Sequence, residues 1–141
     1  MLTDDRNAYR RSFFEAWQKH LKHLPLEPLE AQLVSVMQAH PEYHALLANE
    51  KQFLTQAFEP EENPFMHLSL HLAVREQIQM NRPNGITSLY QQALAKFPQS
   101  HAAEHELVET LGRLLWQAQQ NGLPPDEDVY LETLREALAQ N

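Results

Sequence analysis

Eight histidines stand in this chain, at positions 20, 23, 40, 44, 67, 71, 101 and 105. Six of them form three pairs at i, i+4 spacing: His40/His44, His67/His71 and His101/His105. Scattering eight histidines at random over this length gives about 0.4 such pairs on average, so three pairs are a pattern. On a helix the side chains at i and i+4 lie one turn apart on one face, and two imidazoles so placed can converge on one ion. The chemistry on offer is transition-metal coordination.

The three pairs differ in setting. In FMHLSLHLAVREQ, His67, His71, Val74 and Ile78 follow one another at i, i+4, i+7 and i+11. These histidines therefore continue an apolar stripe and are expected to point inward. Two neighbouring imidazoles in an apolar core cannot both be charged, and both need partners. A metal supplies both at once; hydrogen bonds to polar core groups are the alternative. In SHAAEHELVETLGRLLW, His101 and His105 are extended by Glu109 at i+8. Two neutral ligands and a carboxylate suit iron, manganese or zinc better than copper(I) or a hard, oxygen-only ion. This ladder lies at the edge of the Leu107/Leu111/Leu114 stripe, beside Val108, and its alternative is a solvated first turn. His40 and His44 lie in HPEYH, where His40 continues the Leu29, Leu33, Met37 stripe until Pro41 interrupts it. Such a break can aim one histidine apart from its partner; an exposed helix start is the alternative. His20 shares a face with Phe13 and Trp17, and His23 ends its helix, where the dipole favours it. Both read as structural, with His20 a reserve ligand. Tyr43 and Tyr90 are candidates for donors behind the ligands.

The elements that must position these residues are helical. Prolines and three glycines punctuate the chain into amphipathic segments. They run over about 4–23, 28–39 with a short restart through Leu47, 64–80, 86–97, 101–120 and 126–139. Tyr9, Phe13, Phe14, Trp17 and Leu21 form the inner face of the first. Leu29, Leu33, Val34 and Met37 form that of the second. Asn63 before Pro64 reads as a helix cap and first helical residue, Ser100 as a cap, and Asn121-Gly122 as a helix stop. No strand pattern appears. The expected fold is all-α, a bundle of about four long helices with shorter peripheral ones, within a single domain at 141 residues.

Composition narrows the function. The net charge of −8 and the lack of a basic run argue against nucleic acid as a partner. The chain has no cysteine, which removes disulfides, thiolate nucleophiles and cysteine-type zinc sites, and fits a reducing cytoplasm. The start, MLTDDRNAYRRSF, has no apolar core of a signal peptide. No run of apolar residues is long enough to span a membrane. No glycine-rich phosphate loop occurs, and no Ser-His-Asp arrangement stands out.

Five stretches carry a resemblance over the whole chain: DRNAYRRSFFEAW, HPEYH, NPFMHLSLHLAVREQ, HAAEHELVETLGRLLWQAQ and PPDEDVYLE. With them the chain resembles a family of short bacterial proteins, domain of unknown function number 1841, which brings no activity with it. More loosely, paired histidines with a carboxylate on a bundle resemble hemerythrin-like and DinB-like metal proteins. Hemerythrin-type sites also use a carboxylate low in the bundle, and no aspartate partner is evident here.

The expectation is therefore metal binding at His67, His71, His101, His105 and Glu109, with His40 and His44 completing a mononuclear or dinuclear site. Iron or zinc heads the candidates, followed by manganese. An open coordination position would allow redox chemistry, O₂ binding or hydrolysis. No residue identifies a substrate or small ligand, and a homo-oligomer is compatible with the sequence. The competing class is a metal-free interaction module whose histidines are structural or sense pH.

Overall fold

The computed structural model describes residues 2–140, with side chains from residue 5 onward. Among the described residues it is all-α, with no strand. Eight α-helices follow one another: α1 (Leu2–Leu21), α2 (Pro28–Gln38), α3 (His44–Leu47), α4 (Glu50–Phe53), α5 (Pro64–Met80), α6 (Ile86–Lys96), α7 (Ser100–Asn121) and α8 (Glu127–Ala139). Single 3-10 turns precede α3 (Pro41–Tyr43) and α5 (Pro60–Glu62). The chain forms two compact units, Met1–Leu68 and Ser69–Asn141. The boundary falls inside a continuous helix, α5, so no proline or glycine marks it.

Local chemistry explains the helix ends. Pro28 and Pro64 occupy first-turn positions, where a missing N–H costs nothing. The Asn63 side chain caps α5 as expected, accepting from the N–H groups of Phe65 (3.0 Å) and Met66 (3.2 Å). Gly122 ends α7 in the left-handed region at φ 66°, where a Cβ would be strained. Ser100 is not the cap expected of it: α7 begins at Ser100 itself, and Gln99 holds the cap position by its backbone alone.

The first unit packs Phe13, Phe14, Ala16 and Trp17 of α1 with Leu33, Val34, Val36 and Met37 of α2, Leu47 of α3, and Phe65 and Leu68 at the start of α5, all buried. The Phe65 ring meets Phe13 and Phe14 at 5.8 and 5.7 Å. Arg10 is buried too. Its guanidinium donates to the carbonyls of Leu54 (3.1 Å) and Gln56 (2.7 Å) and lies over the rings of Phe58 and Phe65. That contact anchors the loop before α5. Three stripe residues differ from expectation: Tyr9, Leu21 and Leu29 are at least half exposed. Leu21 and Leu29 flank the α1–α2 turn together with exposed Leu24. The helical period continues there, but the buried stretch of each helix stops before the turn.

The second unit has one apolar core. Val74 of α5, Ile86, Leu89 and Ala93 of α6, Ala103, Leu107, Val108 and Leu111 of α7, and Tyr130, Leu131 and Leu134 of α8 build it. At Gly112, α7 runs beside the Leu70 side chain, whose Cδ1 would lie 3.4 Å from an added Cβ, an ordinary contact distance. The Tyr130 hydroxyl donates to Gln77 Oε1 at 2.8 Å, so the phenol is buried with a partner. No described helix is long and apolar enough to cross a membrane.

Candidate metal centre

In the second unit, His71 is completely buried on the same face of α5 as Val74. It meets a buried carboxylate from α7. His71 Nδ1 donates to Glu104 Oε2 at 2.5 Å, and Arg75, one turn along α5, donates from Nε to Glu104 Oε1 at 2.9 Å. Burial alone would push the Glu104 carboxyl up. The hydrogen bonds from His71 and Arg75, and the positive charge of Arg75, outweigh it and hold the group below the ordinary carboxylate range. An ionised carboxylate only accepts, so His71 carries its proton on Nδ1. The lone pair of the neutral ring then lies on Nε2, the ligand atom of a carboxylate-oriented histidine.

Two further imidazoles stand beside it, both from α7. The His101 ring centre lies 5.3 Å from that of His71, and the His105 centre 5.7 Å away; His101 and His105 are 6.2 Å apart. Three imidazoles on one tetrahedral ion would have ring centres about 5 Å apart, given metal–nitrogen bonds near 2 Å. The set is therefore close to ligation spacing. His101 lies nearly parallel to His71, at 11°, and must turn about its side-chain torsions to aim at a shared ion. Its exposed place in the first turn of α7 leaves room for that. His105 Nδ1 lies 3.3 Å from Glu109 Oε1, one turn further on, and the Glu109 side chain is more than half exposed. Glu109, expected as a ligand, stands instead behind His105.

In the first unit, His40 is also completely buried, at the junction of α2 and the 3-10 turn. Its Nδ1 donates to the Val36 carbonyl at 2.8 Å, which again places the lone pair on Nε2. The His67 ring approaches at 5.1 Å, nearly perpendicular. Tyr43 stacks on His40 at 5.7 Å and 10° and lies 6.1 Å from His67. Burial, and then the nearby Glu42 charge, push the Tyr43 phenol above its ordinary value. His44, expected to complete the site with His40, turns elsewhere beyond the Pro41 break. Its Nε2 donates to the Met37 carbonyl at 2.8 Å, and its ring lies 4.6 Å from Trp17. His20 packs on the same indole at 5.1 Å and accepts from Gln38 Nε2 at 3.3 Å. His23 terminates α1 in the left-handed region, at φ 58°.

Glu104 and Arg75 are the residues the spacing argument missed. A signal for Glu104 was present: it precedes Leu107, Val108 and Leu111 by three, four and seven residues, so a carboxylate stands in the apolar stripe of α7. Arg75 follows His71 by four, on the same face. Each of the two units thus contributes a group of closely set histidines in which a buried ring donates from Nδ1.

These features define an all-α chain with buried, oriented imidazoles as its most distinctive chemistry. The chain belongs to the family described as Domain of unknown function (DUF1841), whose model matches residues 5–136. No curated protein and no solved structure matches it.

Proposed function

We propose that this protein binds a transition metal, and that His71, His101 and His105 hold it in the second unit. One observation carries the reading: fully buried His71 donates from Nδ1 to an ionised carboxylate that Arg75 fixes in turn. A histidine needed only as core filling has no use for a buried charge, since an apolar residue of similar volume avoids the desolvation penalty. A ligand does have use for it, because the carboxylate sets the tautomer, aims Nε2 and makes it a stronger donor. Glu109 supports His105 in the same manner from the surface, and His44 serves as packing for Trp17. His40 and His67 are the donors of the first unit.

Imidazole donors suit iron and zinc, with manganese third. A bound ion with an open position would supply Lewis-acid or redox chemistry, while Glu104 and Arg75 hold His71 in place. The test is elemental analysis of untagged protein, paired with melting curves before and after chelation. Bound iron, zinc or manganese near stoichiometry and a lower melting temperature after chelation are expected, because ligands from separate helices converge only in the folded chain. Metal-free protein whose melting temperature no added metal changes would favour the competing reading, a metal-free interaction module with structural histidines.

A further inference from the structure

The first unit places a phenol, Tyr43, beside His40 and His67. Tyr43 closes the 3-10 turn that His40 opens: its N–H donates to the His40 carbonyl at 3.0 Å. That turn brings the two rings together, stacked at 10°. The phenol thus stands 5.7 Å from the His40 ring between ring centres, and must turn about its side-chain torsions to share an ion with it. His67 joins them from the start of α5, 5.1 Å from His40 and 6.1 Å from Tyr43 between ring centres. Pro41 has a part in this. It sets the first residue of the turn, and with His44 turned to the Met37 carbonyl it leaves Tyr43 as the ring stacked on His40.

We propose that His40, Tyr43 and His67 form a ferric-iron site in the first unit, with the Tyr43 phenolate as its anionic ligand. The inference extends the metal-binding reading above and rests on it. Two neutral imidazoles leave the charge of a trivalent ion unbalanced, whereas a phenolate is a hard anionic donor matched to it. At neutral pH a phenol keeps its proton. A strongly polarising ion displaces that proton into water and takes the oxygen as a ligand, so binding one ferric ion releases one proton from Tyr43. Zinc and manganese(II) carry less charge and gain less from a hard anionic oxygen than a trivalent ion does. The site would therefore select iron(III) over the divalent metals the second unit accepts.

The test is the visible spectrum of the full chain loaded with ferric citrate and freed of excess, with iron measured on the same samples. Phenolate ligation to iron(III) gives an intense visible charge-transfer band that imidazole ligation does not. Wild-type protein and Tyr9→Phe, a change at an exposed tyrosine of α1, are expected to show it. Tyr43→Phe keeps the ring that stacks on His40, so it should fold, and should lose at least ten-fold in band intensity per chain. Resonance Raman on wild-type protein, excited in the band, should show phenolate ring modes and needs no variant. Bound iron without such a band, or a band that survives Tyr43→Phe, overturns this site and leaves the metal reading of the second unit standing. Wild-type protein that retains no iron, zinc or manganese after loading overturns both.

Discussion

His71 and His40 are both fully buried and both donate from Nδ1, but to different acceptors. His71 donates to a carboxylate that has its own cationic partner; His40 donates to a main-chain carbonyl of its own helix. The carbonyl acceptor comes with the fold and would be there whatever the site did. The carboxylate is a separate side chain, buried at a cost that hydrogen bonds to His71 and Arg75 must offset. The orientation of His71 is thus installed by sequence, and that of His40 by backbone. The difference is open to mutation on one side only.

The largest effect should follow removal of the oriented ring. His71→Ala deletes the central donor of the second unit and is expected to lower metal affinity there by more than about 100-fold, beyond what loss of an outer partner costs; isothermal titration of apo protein with zinc measures it. An affinity within three-fold of wild type would end the comparison, since neither acceptor would then matter.

Glu104→Gln sharpens it. The ring stays and its ionised acceptor goes, so affinity should fall about 10–100-fold. The apo protein should lose about 2 kcal/mol, the range for buried hydrogen bonds to a charged group, read from urea unfolding. A variant that loses stability but keeps full affinity would make Glu104 a structural residue alone.

His44→Ala is expected to leave metal content unchanged. It should destabilise by about 1–2 kcal/mol through the lost bond to the Met37 carbonyl and the lost contact with Trp17. Smallest of all is Glu109→Gln. Its partner distance is 3.3 Å and its side chain is exposed, so affinity should change by no more than a few-fold, about what exposed pairs contribute.

Much of the fold was legible because it is written in local chemistry. Pro28, Pro64 and Gly122 lie where α2 and α5 begin and α7 ends, within a residue of expectation. The inward placement of His71 followed from its register with Val74. Other features depend on tertiary packing, to which periodicity is blind. Leu29 satisfies the helical period of α2 but sits beyond its buried stretch. The unit boundary lies within α5, where no residue type signals it. Glu104 was hidden for a related reason. Reading donors at i, i+4 directs attention to His101, His105 and Glu109, whereas the carboxylate that meets His71 belongs to the apolar stripe and binds a residue 33 positions away. A charged residue in an apolar stripe reads as noise until its partner is seen. The parting of His40 and His44 was readable from Pro41 between them, but the packing of His44 on Trp17 was not.

The central claim is that the inward-facing histidines of α5 hold metal while those at the end of α1 do not. The most direct measurement is the metal content of two folded, purified double variants, His67→Ala with His71→Ala and His20→Ala with His23→Ala, assayed for iron, zinc and manganese. The account predicts that the first loses most of its metal and the second keeps the wild-type amount. Full stoichiometric metal in the first variant would contradict it and would leave Glu104 and its histidine as a polar seam in the core.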